Sequence, residues 1–554
     1  MQTIHFINSQ PDKKLKVAFI NPPVASNWMF QPLTWILMKS YYEHNGAYPE
    51  NVDWLAPPYK WDTYKDVADV WEEIKDADIF LFSSYVWNYA ICDKIAAYVK
   101  EQNKSAICVV GGPHIGENDD DFLRSRSCYD YICKATKPGE IFIADLLNAY
   151  LSSGSMPSYD DISWELRGNK KCGQYMQTYS VYEENIDFLI ELNTYAKRNI
   201  LFENRTIIFE STSGCPFSCT YCEWGGGTGS KVARKEIDLA KKDLDAIAKA
   251  GYELFDFSNA NFGIDKEKDI AVFEYAWSIG LLPFNVSTLK VKSLERKKEL
   301  YDDIIEIVAK HKDKIVNIPK DFIPPLSIQT VNNEAQKIAN RVDMSLEDKL
   351  TLSRYLGGKT KEIGIDLFPE FIAGMPGSTL DDFYNEFDIS FEFLNCGEKY
   401  IYLILPDCEI SQKDFLDKHD IKLVDIYYDD NRLNDSIYKY SCTQKTISSC
   451  FSYTKDEMCE MWIMNTVAHF MYSVYRKSFS GVRAADFMRE CWEVLKTTPN
   501  FSYIWDLVND IFDPETPPRH ARIHYEVDIY FAPFELYIEQ RLQQRFKNEI
   551  ITRV

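Results

Sequence analysis

The stretch STSGCPFSCTYCEWGGG, residues 211–227, places three of the chain's 14 cysteines within eight residues and then runs into glycine. It follows on RTIIFES (205–211), an apolar run of strand length, so Cys215, Cys219 and Cys222 fall in the loop after a strand. In a βα barrel, reactive groups are kept at that end of the strands. Thiolates are soft ligands suited to iron–sulfur clusters or zinc, and both normally take four protein ligands in a closed site. Only three are close here, because the next Cys or His after Cys222 is His311, in a charged helical segment. A zinc ribbon would lack half its pattern. A four-iron cluster on three thiolates keeps one iron open, as a catalytic metal requires. The competing reading is three structural thiols or an incomplete zinc site.

Outward from this loop, the pattern from Thr206 onwards is a βα series. Its strand candidates are TIIFESTSGC, YELFDFSNANFG, LPFNVSTLK, PPLSIQTV, EIGIDLFPEFIAGMPG and KYIYLILPDCE, with helical stretches such as EIDLAKKDLDAIAKAG between several of them. Six strands of this kind predict a partial (βα)6 barrel over residues 206–425. The charged segment VKSLERKKELYDDIIEIVAKHKDK reads as a solvated helix on its outside. Upstream, residues 1–152 alternate continuous apolar runs (KVAFINPP, ADIFLFSSYVW, AICVVGGPHIG) with amphipathic helices. That is the signature of a doubly wound parallel sheet covered on both faces, so the fold class is α/β. Ligands of such sheets sit at the carboxyl ends of the strands, which here carry Asn21, Ser83, Ser84, Gly111, Gly112 and His114. Residues 153–205 read as an irregular linker, and residues 426–554 as a helical C-terminal domain whose Trp and Tyr stripes form its core.

Composition narrows the partners. With 62 basic and 84 acidic residues the net charge is −22, which disfavours nucleic acid or an anionic membrane as the main partner. No apolar stretch approaches the length of a bilayer crossing, and the first residues show no secretory signal, so a cytoplasmic location is expected. The other cysteines are scattered without a disulfide framework, as reduced core thiols would be.

The motifs of the barrel resemble those of the radical S-adenosylmethionine (SAM) superfamily, whose [4Fe-4S] cluster binds the amino and carboxylate groups of SAM at its open iron. Reductive cleavage then yields a 5′-deoxyadenosyl radical. On this resemblance Cys215, Cys219 and Cys222 hold the cluster, and Tyr221 stands where the family lays an aromatic ring near the adenine. FDFSNANFGID resembles the family's second-strand segment, which implies that Asn259 and Asn261 face the amino-acid end of SAM. The usual paired glycines are replaced there by Ser258-Asn259-Ala260. LSIQTVNNEAQKIANR resembles the fourth-strand segment, with Gln329 and Thr330 reaching the ribose and carboxylate. FIAGMPGSTLDDF resembles the fifth-strand loop, in which Gly374, Pro376 and Gly377 let the backbone approach the adenine.

DIFLFSSYVWNYAICDKIAAYVKEQNKSAICVVGGPHIG in turn resembles the cobalamin-binding domain that precedes the barrel in one large radical SAM subclass. The histidine-bearing DxHxxG loop of other cobalamin proteins is absent, with NPPVASNW in its place. Either cobalamin binds without a protein histidine or the fold persists without the corrin. His114 reads either as a loop histidine capping a helix or as a cobalt ligand, and Trp28, Tyr85 and Trp87 either pack on a corrin face or close the domain interface.

Two reactions share this architecture. In the first, a substrate radical at an unactivated carbon takes a methyl group from methylcobalamin. In the second, a protein thiol quenches the radical and inverts a stereocentre, as in the peptide epimerases of ribosomal natural-product pathways that GCPFSCTYCEWGGG resembles. Cys408, at the end of IYLILPDCE, is the candidate hydrogen donor or else a buried small residue, and Cys396 lies before that strand. A non-catalytic cobalamin or iron–sulfur sensor is the third reading. The expected cofactors are a [4Fe-4S] cluster, SAM and cobalamin, and the expected partners are a peptide or small-molecule substrate and an electron donor such as flavodoxin or ferredoxin.

Overall fold

The computed structural model describes residues 14–547 apart from 116–121, 124, 134–138, 156–175, 201, 203–204, 223–231, 285, 287–292, 312–322, 342–343, 366, 394–398, 407, 428–435, 441, 521–529, 532 and 534. The glycine run after Cys222, Cys396 and the middle of the expected linker lie outside the described residues.

Continuous apolar runs make the central strands of the N-terminal unit. Strands β1 (Leu15–Ile20), β2 (Val52–Trp54), β3 (Ile79–Ser83), β4 (Ile107–Gly111) and β5 (Tyr131–Ile132) form one parallel sheet in the order β2-β1-β3-β4-β5. β3 is buried at every position, as a strand covered on both faces must be. The strand order reverses between β1 and β3, and the carboxyl ends at that crevice are the loops expected to hold a ligand.

The expected linker is helical where it is described. Val181–Glu184 and Ile186–Arg198 form two helices, the second burying Leu189, Leu192, Asn193 and Ala196 on one face. They join the two units: Asn185 Nδ2 donates to Ser40 Oγ at 3.0 Å, and Tyr182 Oη to Ile208 O at 2.6 Å. The run IDFLIELN is therefore an amphipathic helix, and its apolar spacing of three and four residues was the signal.

The barrel follows. Strands β6 (Ile207–Phe209), β7 (Thr212–Ser213), β8 (Ala233–Arg234), β9 (Leu254–Phe257) and β10 (Leu282–Phe284) come first. β11 (Leu326–Gln329), β12 (Pro369–Ala373), β13 (Tyr400–Ile401) and β14 (Leu403–Ile404) come next. Two parallel three-stranded sheets, β10-β9-β6 and β11-β12-β13, supply the six barrel strands, and the antiparallel pair β7-β8 is an insertion after the first. The long helix Leu346–Ile363 is capped by Ser345, and Gly364 ends it at φ 73°, a left-handed stop that favours glycine.

The C-terminal part differs from a purely helical domain. β14 continues the last barrel strand into a four-stranded mixed sheet with β15 (Lys422–Tyr427), β16 (Thr443–Ser449) and β17 (Arg519–His520), in the order β14-β16-β15-β17. The helices Lys455–Val474, Ala484–Leu495 and Phe501–Ile511 pack behind it. The apolar interior is not divided at the expected boundaries. One core runs from the N-terminal sheet through the linker helices to β11, and a second joins the end of β12 to the C-terminal helices. Among the described residues no helix is long and apolar enough to cross a membrane.

Candidate functional site

The three-cysteine loop is clamped at its base by buried groups. β7 pairs with β8, so the chain entering and leaving the loop is drawn together. Lys235 N donates to Ser211 O at 2.9 Å, and the Lys235 ammonium sits 2.5 Å from the Asp243 carboxylate with both side chains buried. Asn259 Oδ1 accepts from Ser211 N and Thr212 N, each at 2.9 Å, and its Nδ2 donates to Ser211 Oγ at 3.0 Å. Asn259 was expected to face SAM. Its amide oxygen is instead spent on the loop, which makes it a positioning residue for the cysteines. Asn259→Ala leaves two buried N–H groups without an acceptor, at about 1–3 kcal/mol each. Supporting partners of metal ligands are worth about 10–100-fold in metal affinity. Iron titration of the apoprotein should therefore show loading weaker by that order, with Cys215, Cys219 and Cys222 intact.

The far side of the loop is tied to the rest of the barrel. Thr220 N donates to Ala339 O at 3.1 Å, Ile410 N to Thr220 O at 3.0 Å, and Asn340 Nδ2 to Ser218 O at 2.8 Å. Cys222 N donates to Cys219 O at 3.1 Å, closing a turn between those two thiols. Cys215 is buried and the other two are half-buried. Three thiols on one clamped loop can supply the donor set of a cluster that keeps one iron open.

Tyr221 is the hinge between this loop and the barrel interior. Its hydroxyl donates to Gln329 Oε1 at 3.3 Å and accepts from Arg341 Nη1 at 3.1 Å, and Arg341 Nη2 donates to Ser327 O at 2.9 Å. Burial pushes the Tyr221 phenol up, Arg341 pulls it back, and the nearby thiols of Cys219 and Cys222 add to the rise. Gln329 lies at a register shift between β11 and β12 and has φ 68°, a left-handed conformation that costs a non-glycine residue about 1–2 kcal/mol. Thr330 is fully buried and Asn261 nearly so. A cation beside a strained polar side chain at the carboxyl end of β11 suits an amino acid's carboxylate. Arg341 escaped the sequence analysis, although it closes the quoted segment LSIQTVNNEAQKIANR.

Other expected residues are placed differently. A Cβ at Gly377 (φ 92°) would meet Ala335 N and Ile338 Cδ1 at 2.9 Å, and one at Gly374 (φ 78°) would meet Met458 Sδ at 3.1 Å. The close approach at these glycines is thus to the protein itself, with Pro376 buried between them. Cys408 is 2% exposed in the second core beside Tyr402, whose phenol burial pushes up, with Tyr221 and then Cys408 adding to the rise.

At the N-terminal edge, Asn88, which sequence reasoning missed, ties the strand ends together. Its Nδ2 donates to Asn21 Oδ1 at 3.2 Å, Pro22 O at 2.9 Å and Ser83 O at 3.2 Å. Ser84 N donates to Gly111 O at 2.7 Å, and a Cβ at Gly112 would lie 2.5 Å from Ser84 O, so the two loops need the glycine to pack. Tyr85 and Trp87 stack on each other at 4.5 Å, and Trp28 is 36% exposed. His114 stacks on Tyr89 at 4.2 Å, and its Nδ1 is buried without a hydrogen-bond partner among the described residues. Burial, then the Arg126 charge, lowers its pKa from 6.5 to about 4, so the folded imidazole is neutral. The stability this confers is complete above pH 6.5 and is lost as pH falls towards 4. His114→Phe keeps the stacked face and removes the titration. Denaturant unfolding at pH 7 and pH 5 should show the wild type losing about 1–2 kcal/mol more than the variant.

No family model matches the chain. The cobalamin-dependent radical SAM methyltransferase TokK of Streptomyces tokunonensis is 23% identical over 422 residues, covering 74% of this chain and 58% of that protein. The 2-(S-pantetheinyl)-carbapenam-3-carboxylate methyltransferase of Streptantibioticus cattleyicolor is 24% identical over 395 residues, 69% of this chain and 54% of that protein. The chain thus spans less than two thirds of the length of these curated relatives. Among solved structures, the cobalamin-dependent SAM radical enzyme OxsB, with aqua-cobalamin and SAM bound, superposes with a TM-score of 0.59 at 14% identity over 96% of this chain and 80% of that one. The radical SAM methyltransferase TsrM from Kitasatospora setae, with cobalamin and a [4Fe-4S] cluster bound, gives 0.52 at 12% identity over 90% of this chain and 98% of that one. TokK and OxsB are named as cobalamin-dependent radical SAM enzymes, and the chain shares the fold of OxsB and TsrM.

Proposed function

We propose that the chain is a cobalamin-dependent radical SAM methyltransferase that methylates an unactivated carbon of a peptide or small-molecule substrate. The observation that carries this is the clamped three-thiolate loop at the carboxyl end of β6, in a barrel sharing one apolar core with a doubly wound sheet. Cys215, Cys219 and Cys222 would hold the cluster. Asn261, Gln329, Thr330 and Arg341 would bind SAM, with Arg341 pairing its carboxylate and Tyr221 beside the adenine. The sheet edge of Asn21, Ser83, Ser84, Gly111, Gly112 and His114 would hold the corrin, with Asn88 fixing its loops. When bound, these cofactors supply reductive cleavage of a sulfonium and a transferable methyl group. The protein's own part is to hold thiolates, orient a carboxylate and keep the junction dry. Reduction of the cluster calls on a donor such as flavodoxin or ferredoxin, and a cytoplasmic location suits its thiols.

The test is anaerobic reconstitution followed by iron, sulfide and corrinoid analysis of one preparation. Corrinoid absorbance, 5′-deoxyadenosine and a product heavier by one methyl are the expected results. Unchanged product mass with deuterium taken from solvent would transfer the reading to epimerisation by Cys408, whose burial beside Tyr402 speaks for a packing role. Bound cofactors without any cleavage of SAM would leave a sensor.

A further inference from the structure

Gln444 is the one side chain among the described residues with two polar atoms buried and without hydrogen-bond partners, its Nε2 and its Oε1, and it is 5% exposed. Its place in the fold gives this meaning. β16 pairs antiparallel with β14, Leu403 against Thr446 and Ile404 against Lys445, so Gln444 is the next residue of β16 past the carboxyl end of β14. Gln444 therefore stands at the carboxyl end of the barrel's last strand, the end where barrels hold their ligands. Side chains alternate faces along a strand, and Gln444 shares its face with Thr446. The Thr446 hydroxyl donates to Tyr402 O at 2.9 Å, and the Tyr402 ring stands edge-on to Tyr221 at 5.8 Å. The residue before it, Thr443, reaches the N-terminal sheet: Thr443 N donates to Tyr89 Oη at 3.0 Å. Tyr89 in turn carries His114, whose Nδ1 is also buried and, among the described residues, unmet. Two unmet polar groups thus flank the junction between the ligand edge of the sheet and that of the barrel.

A carboxamide kept in a core with donor and acceptor both unmet is costly, whereas Leu or Met would occupy similar space without that cost. Its complement is a group presenting an acceptor and a donor side by side, which is another amide. A carboxylate or an ammonium would satisfy only one of the two atoms. We propose that Gln444 is a recognition residue for an amide-bearing ligand held between the N-terminal sheet and the barrel. This rests on the functional reading above, under which two molecules meet there that can carry amides: the corrin, through its side-chain amides, and the substrate.

The test uses the full-length reconstituted protein, wild type and with Gln444→Leu or Gln444→Met. Aquacobalamin is titrated by absorbance, and S-methylpantetheine, a thioether with two amides, by thermal shift. Without ligand both variants should melt higher than wild type, because two unmet groups are gone. One of the two ligands should bind about tenfold more weakly to the variants. A loss confined to aquacobalamin assigns the amide to the corrin, and one confined to the diamide assigns it to the substrate. Affinities that stay at wild-type values for both ligands overturn the proposal, and so do ligand-free variants that both melt lower, since the amide would then have partners within the protein. Wild-type protein that takes up no cobalamin and yields no 5′-deoxyadenosine overturns the functional reading itself, an outcome distinct from the failure of Gln444 alone.

Discussion

Cys219→Ala protein, reconstituted anaerobically with iron and sulfide, should lose the broad thiolate-to-iron absorbance and form 5′-deoxyadenosine only at background rate. Cys219 lies between the two other thiols on a loop whose ends are fixed by Asn259 and Lys235 and whose far side is fixed by Ala339 and Ile410. Such a loop cannot slide a neighbouring residue into the vacant place. Cys408, which also neighbours Tyr402, is held in the second core. Cys459→Ala is the matched control: that thiol is fully buried in the helix Lys455–Val474, so its loss costs packing alone and the absorbance should persist. Absorbance and cleavage retained in Cys219→Ala would show that the ligands lie elsewhere and would remove the basis of the functional reading.

The three-thiol loop was legible because its residues are contiguous in the chain. Three thiols, a preceding strand and a following insertion are local facts. The N-terminal sheet was legible for a related reason, since strands buried on both faces must be apolar at nearly every position, and IFLFS and ICVVG are. The C-terminal sheet was not. TQKTISS is a polar strand recognised only by its partners, and β14 reads from sequence as the end of the barrel although its edge pairs with β16. Asn259 and the glycines of the β12 loop show the same limit at single residues. An amide at the end of β9 has the same sequence signature whether it meets a ligand or the backbone of Ser211 and Thr212. Likewise, Gly377 looks alike whether an adenine or the helix Asn333–Ile338 fills the space beside it.

The largest loss of stability is expected from Lys399→Met. Lys399 and Glu386 are 1% and 2% exposed, with Nζ and Oε2 3.0 Å apart. The ammonium also donates to Phe383 O and lies over the rings of Phe383 and Phe387 at 3.7 and 4.1 Å. Burial pushes the Glu386 carboxyl up, and Lys399 is the strongest influence drawing it back. Removing the cation alone leaves a buried carboxylate without its counter-charge, which costs about 3–5 kcal/mol. The denaturation midpoint should fall accordingly. Removing both charges with Lys399→Met and Glu386→Leu should recover most of the loss, because desolvation of a buried pair offsets much of its attraction. The double variant also separates stability from function. Glu386 Oε1 accepts from Val331 N at 3.4 Å, next to Thr330 at the carboxyl end of β11, so the variant should fold yet bind SAM more weakly. Equal SAM affinity in wild type and double variant would mean that Thr330 is held without the pair, by Gln336, Lys349, Asn332 and Ser378, and the pair would then serve only to join the barrel's last strand to its helix Leu380–Phe387.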